Sequence, residues 1–434
     1  MSNSKALTRI QSILVALIII TILGLTISYV LLNNHGPSSE VIKIGFLGDI
    51  DNVNGKAAWQ GAVLAADQVN AEGGVLGKQF EIVKADDDGE TPPFDVNFAT
   101  NALNKLITSD KVEFLLSSNQ AFPMVYEEIC AEHNIIFFSM GIDDQMTQLV
   151  ANNYDRYKGF FRAMTNTSSA VDGLVDSFNT LRDYTGFNKI AYLTIDAPTA
   201  KNFTSRVVDS LAEQGFEIVY DNTFPPTTID FSSYFAAIEE SGAEILGPLV
   251  MGSPCISFVK EYYDRQSPFV IWGNVNLAAE GDFWQKTDGK CESVSFVGFP
   301  VVSGYPLTSK VIPMREAYID QWGEIPTGGS AFSYDLIRFI LPDAIKRAGT
   351  TETEAVISAL EETDVETVLA RHFIYTSTHD VFVGKAGPNI PTEDYILVCI
   401  FQWQNGIQVP VCPSEIREEA QANYTFPPWN GPWS

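Results

Sequence analysis

Two short polar runs carry groups that could hold a small molecule: Ser117, Ser118, Asn119 and Gln120, then Ser139, Met140, Gly141, Ile142 and Asp143. Each follows an apolar stretch of strand length, residues 112–116 and 135–138, so hydroxyl, amide and backbone N–H groups gather at two adjacent strand ends. A helix predicted over 123–132 starts just after the first run. Its opening turn would offer unpaired N–H donors and the positive end of its dipole to an anion. Ser118 or Asn119 could equally cap that helix, and the two roles are compatible. A third polar loop, with Asp49, Asp51, Asn52 and Asn54 between Gly48 and Gly55, leaves the first strand. Its carboxylates could meet a cationic group or form the turn. Trp59, on the helix that follows, is read as an apolar wall of the pocket, with packing on the sheet as its other role.

No residues are spaced for catalysis. The four histidines, His35, His133, His372 and His379, stand near no serine or cysteine motif, and neither a Gly-x-Gly-x-x-Gly nor a phosphate-binding P-loop occurs. No two of the five cysteines lie two to four residues apart, which removes the usual zinc spacing. The expectation is a binder without metal or cofactor, not an enzyme. A formal charge of −27 argues against nucleic acid, whose phosphates would be repelled, and is accounted for by an acidic, soluble surface.

The elements that position these loops alternate. An apolar strand at 42–47 leads to a helix with Trp59, Ala62, Val63, Ala66 and Val69 on one face; Gly73 and Gly74 stop it, and a second strand follows at 80–83. After the strands at 112–116 and 135–138 the pattern breaks around 161–169. It restarts with strands at 190–195, 216–219, 245–250 and 269–272, separated by helices at 200–213, 232–241 and 255–265. Such alternation signals parallel sheets covered on both faces, and the chain is long enough for two of them. In open α/β sheets ligands sit where loops leave the carboxyl ends of the strands. Beyond 301 the reading is helical (314–322, 332–347 and 353–362), without strands of its own. A hairpin at 399–404 and 407–412, turning at Asn405-Gly406, then precedes a tail over 413–434. Its Tyr424, Phe426, Trp429 and Trp433 are read as packing on their own domain.

That hairpin predicts one covalent link. A two-residue turn sets Cys399 opposite Cys412 at a non-hydrogen-bonded position, where Cα atoms lie about 4.5 Å apart, within disulfide reach. Pro410 falls at a similar position, which suits an edge strand. Cys255 with Cys291 is a second pairing left open, and Cys130 reads as a buried thiol. At the other end, residues 10–32 carry no charge, and about 23 residues of helix span a bilayer core of about 30 Å. Lys5 and Arg9 precede that run, so the positive-inside rule puts residues 1–9 in the cytoplasm and the bulk of the chain outside the cell membrane, extracellular or periplasmic, after a linker at 33–40. A cleaved signal peptide is the rival reading. Sequons at Asn166, Asn202 and Asn423 are compatible with surface glycosylation.

Several motifs together resemble a known family. They are Ile42-Lys43-Ile44-Gly45 with Gly61-Ala62, then Asn70-Ala71-Glu72-Gly73-Gly74-Val75-Leu76-Gly77; Phe224-Pro225-Pro226 with Asp230-Phe231-Ser232; Ser333-Tyr334-Asp335 with Asp343-Ala344-Ile345; and Gln402-Trp403-Gln404-Asn405-Gly406. In order and spacing they are similar to periplasmic binding proteins of type I, specifically the branched-chain-amino-acid-type substrate-binding proteins of ABC transporters, over nearly all of residues 41–433. The resemblance implies an α/β fold of two Rossmann-like lobes joined by three crossovers near 163, 300 and 376, closing like a flytrap on a ligand. Lobe 1 would take 41–163 and 303–376, and lobe 2 would take 164–302 and 377–412.

The resemblance further implies that Ser117, Ser118, Asn119 and Gln120, with Ser139, Gly141 and Ile142, hold a ligand carboxylate. In the second lobe Asp196-Ala197-Pro198-Thr199-Ala200 stands where relatives often carry a tyrosine. The stretch Gly273-Asn274-Val275-Asn276 lacks the carboxylate that grips an ammonium. Asp196 and Asn274 join the candidate ligand residues, Glu280 and Asp282 could substitute for the missing acid, and Tyr334 could lean into the cleft or fill core. The implied function is extracytoplasmic capture of a small polar organic ligand, amino-acid-like or amide-like, by a membrane-tethered protein that delivers it to the permease subunits of an ABC importer. A ligand-sensing receptor ectodomain of the same fold is the alternative; the nine residues before the anchor favour the first.

Overall fold

The computed structural model describes residues 41–88, 95–118, 121–382 and 398–429. Asn119, Gln120, Trp433 and the anchor predicted at 10–32 lie outside them. Among the described residues no helix is long and apolar enough to cross a membrane.

The first sheet holds β1 (Val41–Leu47), β2 (Gln79–Ala85), β3 (Phe114–Ser117), β4 (Ile136–Ser139) and β5 (Phe160–Arg162) in the order β2-β1-β3-β4-β5, parallel throughout. Every residue of β3, β4 and β5 is buried, as a sheet covered on both faces requires. Helices α1 (Val53–Ala71), α2 (Val96–Lys105), α3 (Pro123–His133) and α4 (Gln145–Asn152) belong to this lobe.

The second sheet runs β14-β13-β10-β9-β8-β6-β7, with β6 (Lys189–Ile195), β7 (Glu217–Phe224), β8 (Ile245–Val250), β9 (Val270–Val275), β10 (Ser295–Gly298), β13 (Cys399–Gln404) and β14 (Ile407–Cys412). Only the β10-β13 and β13-β14 pairs are antiparallel. Its helices are α5 (Thr167–Thr185), α6 (Pro198–Glu213), α7 (Ser232–Glu240) and α8 (Pro254–Arg265). The break read around 161–169 contains β5, the crossover and the start of α5. Asn166 opens that helix by accepting from the Ser169 N–H. It also donates to Asp380 at 2.9 Å, so this sequon asparagine is spent on internal bonds.

The segment past 301 returns to the first lobe. There α9 (Val311–Trp322), α10 (Gly328–Asp335), α11 (Leu341–Ala348) and α12 (Thr353–Glu361) stack over α1 and its neighbours. Gly61 permits the contact of α1 with α10, because a Cβ there would stand 2.1 Å from Ser330 O. Contrary to expectation this segment contributes a small ribbon, β11 (Asp364–Val365) with β12 (Phe373–Ile374).

The hairpin corrects the disulfide. Gln404 faces Ile407 and Phe401 faces Pro410 as predicted, but the register then shifts at a bulge and Cys412 faces Ile400. One extra residue sends successive side chains to opposite faces. Cys399 packs with Phe401 and Trp403, whereas Cys412 packs with Ile400 and Val411 in a separate cluster, and both are buried free thiols. Cys255 and Cys291 are likewise unpaired, the Cys255 thiol donating to Val250 O at 3.3 Å. Pro410 sits on β14, an edge strand. Of the tail, Trp429 packs on Tyr262 and Tyr263 and donates to Ser267 O at 3.0 Å.

Candidate functional site

Chain direction turns the carboxyl ends of both sheets toward the same crossover. After β5 ends at Arg162, α5 begins at Thr167, pinned to the first lobe because the Thr167 N–H and hydroxyl both donate to Ile142 O at 2.8 Å. Since α5 leads to the amino end of β6, its start lies on the side where β6 ends. The carboxyl ends of both sheets therefore lie toward this crossover, where Asp144 after β4 meets Ser168 of α5 and Arg206 of α6, and strand-end loops so placed are the usual binding edge.

Ser118 stands at the centre of the first-lobe edge. Its N–H donates to Leu47 O at 3.1 Å, while its hydroxyl is buried without a hydrogen-bond partner, the residue being only 4% exposed. Such a group costs free energy unless something binds it. Gly48 makes the room, since a Cβ on it would lie 2.1 Å from Ser118 Oγ. Ser139 is spent differently: its Oγ accepts from the Gly141 N–H at 2.9 Å and contacts Met146 Sδ, shaping the loop. Gly141 abuts Pro123, the first residue of α3, with a notional Cβ 3.0 Å from the ring. The loop thus packs on the N-terminus of a helix whose Phe122 cap gives no side-chain bond. Ser117 is wholly buried on β3.

Other candidates are engaged elsewhere. Trp59 packs against Trp322 at 5.7 Å between centroids, with the Lys84 ammonium 4.5 Å above its ring. The Tyr334 hydroxyl donates to Gln68 Oε1 at 2.5 Å and the ring packs edge-on against Phe339. Asp49 is buried and accepts from the Asn52 N–H at 3.0 Å, the bond of a turn former. At the second-lobe edge Asp196 pairs with Lys201 at 2.7 Å, and Glu280 and Asp282 share Lys286. Asn274 is half-buried on β9, opposite Leu249.

Sequence reasoning missed the residues that tie these loops together. Asn276 Oδ1 accepts from the Gly252 N–H at 3.0 Å and from the Cys255 thiol at 3.3 Å, joining the loops after β8 and β9. Asp144 accepts from the Ser168 N–H and hydroxyl and from Arg206 of α6 at 3.0 Å. Burial pushes the Asp144 carboxyl up, but these donors outweigh it and hold it below the usual range. Arg162 was signalled only as a cation ending the aromatic strand Phe160-Phe161-Arg162.

The loops that follow these strands also expose apolar side chains. Val53, Ile142 and Met251, following β1, β4 and β8, are 69%, 41% and 47% exposed. A separate depression of about 500 Å³, bordered by Asn134, Asn153, Arg156 and Lys158, lies at the amino ends of the first sheet, away from these loops.

Comparison with known proteins agrees with this fold. A profile of periplasmic binding proteins matches residues 41–384. Leu/Ile/Val-binding protein homolog 7 of Brucella abortus (strain 2308) is 22% identical over 397 residues, 88% of this chain and 95% of that protein. The branched-chain amino acid transporter substrate binding protein LivJ of Streptococcus pneumoniae, solved with isoleucine, aligns with a TM-score of 0.68 at 19% identity, covering 86% of this chain and all of that one. An ABC transporter solute binding protein of R. palustris, solved with benzoate, aligns at 0.66 and 18% identity, covering 86% and 95%. The chain belongs to the periplasmic binding proteins, a family of transporter solute binders and not of enzymes.

Proposed function

We propose that the chain captures a small carboxylate bearing an apolar group in the gap between its lobes, closes on it, and delivers it to the membrane subunits of an ABC importer. The unpartnered hydroxyl of Ser118 carries this reading, since a carboxylate oxygen would supply the missing partner beside the N-terminus of α3. Val53, Ile142 and Met251 would cover the apolar group. Isoleucine and benzoate, bound by the S. pneumoniae and R. palustris proteins, are both ligands of this shape. Asp196, Asn274 and the second-lobe loops would close over the other side. A ligand touching both lobes favours the shut state by its greater affinity for it. The uncharged run at 10–32 would tether the binder at the outer face of the membrane.

Calorimetric titration of L-isoleucine and benzoate into wild-type and Ser118→Ala protein tests the reading. At least one should bind, with roughly tenfold weaker affinity in the variant, the worth of one hydrogen bond to a charged group. Equal affinity in the two proteins would remove Ser118 from the site.

A further inference from the structure

Arg162 is fully buried at the end of β5, and its guanidinium reaches three segments at once. Nε donates to Asp380, Nη1 to Gly141 O and Nη2 to Asp143 O, the last at 2.8 Å. Gly141 and Asp143 belong to the loop after β4. Asp380 belongs to the turn at 376–380, closed by the Tyr375–Val381 bridge beside β12, and its other oxygen accepts from Asn166, the cap of α5 at the first crossover. The backbone repeats the pattern, since the Arg162 N–H donates to His379 O at 3.0 Å and the Thr167 N–H to Ile142 O at 2.8 Å. The His379 ring stacks on Phe161 with centroids 4.1 Å apart and planes 4° from parallel. A buried guanidinium stripped of one partner leaves uncompensated charge, so these segments cannot separate without a large cost.

We propose that Arg162 is a positioning residue that makes the loop at 141–143, the crossover at 162–167 and the turn at 376–380 move as one body. A ligand seated on the loop then acts directly on the crossover that leads from the first lobe into α5, with no intervening slack. The inference rests on reading the strand-end loops as the ligand site, but its physical content is testable without any ligand.

Native-state hydrogen exchange of the full chain over a urea series reads it. The amides of Gly141, Arg162 and Thr167, each hydrogen-bonded within this unit, should open together with one shared opening constant. In Asp380→Asn all three should exchange at least tenfold faster while amides in the middle of β1 and β6 keep their rates, and Arg162→Lys should fall between the two. Independent opening of the three amides in the wild type overturns the proposal, as does an Asp380→Asn protein in which only the Arg162 amide speeds up. Should Asp380→Asn fail to fold, the wild-type series decides alone. Failure of isoleucine and benzoate to bind would remove the ligand reading and leave the exchange result standing, so the two ideas fail separately.

Discussion

Gly48 and Ser118 form a matched pair: the missing side chain of one is the space over which the other's hydroxyl projects, 2.1 Å from where a Cβ would stand. Gly48 has no left-handed backbone to justify it, so the close approach is its reason for being glycine. Gly48→Ala should therefore displace the Ser118 hydroxyl and weaken binding of a carboxylate ligand at least as much as Ser118→Ala, roughly tenfold. Calorimetry with the ligand that binds wild type is the check, and unaltered affinity in Gly48→Ala would mean that the hydroxyl does not meet the ligand.

Glu127 sets the pH response. Both its carboxylate oxygens are buried without partners, and burial, only partly offset by Arg162, pushes its carboxyl up to about 9. An unfolded glutamate titrates near 4.3, so between the two values the folded chain holds a proton that the unfolded chain releases. The contribution is fully present below about pH 4.3 and is lost as pH rises toward 9, by about 1.4 kcal/mol per pH step at most. Asp335, pushed up to about 7 by burial, acts with the same sign. Glu127→Gln should match wild type near pH 4 and melt higher than wild type at pH 8. Parallel melting curves across pH 5 to 9 would contradict this.

The sheets and most of their helices were legible because buried parallel strands are short apolar runs between glycine stops, as at β1, β4 and β8. Helix α5 was not, since Thr167, Ser168, Ser169, Asn179 and Gly173 dilute the helical period. Its Gly173 serves packing, with a notional Cβ 2.5 Å from Val398, a tertiary reason invisible locally. The position of Ser118 at a strand end was legible from the apolar run before it, whereas its unpartnered hydroxyl was not. Trp59 and Tyr334 could not be separated from core residues, because an aromatic on a sheet-facing helix has the same spacing in either role. The bulge before Cys412 left no sequence mark, and it alone decided the fate of the predicted disulfide.

The thiols provide a chemical check on that bulge. All five cysteines are free and buried, and burial pushes the Cys399 thiol up to about 12, so none should react quickly in the folded protein. In denaturant without reductant, thiol titration should return five groups per chain. A value of three would mean that a disulfide forms, and peptide mapping that assigns it to Cys399 and Cys412 would mean that β14 pairs in the unbulged register.

Arg162 and Arg206 both bind aspartates near the crossover, yet burial separates their worth. The Arg206 side chain is 37% exposed and Asp144 25%, so water and salt screen the pair and Arg206→Met should cost no more than about 1 kcal/mol. Arg162 is inaccessible to solvent, and Arg162→Met would strand Asp380 as a buried anion while leaving Gly141 O and Asp143 O without their donor. Loss of one partner of a buried pair costs on the order of 3–5 kcal/mol. Urea unfolding should therefore rank Arg162→Met far below Arg206→Met at low salt, and 1 M salt should erase the smaller effect while leaving the larger one. Comparable losses in the two variants would mean that the interior guanidinium is solvated when the lobes move.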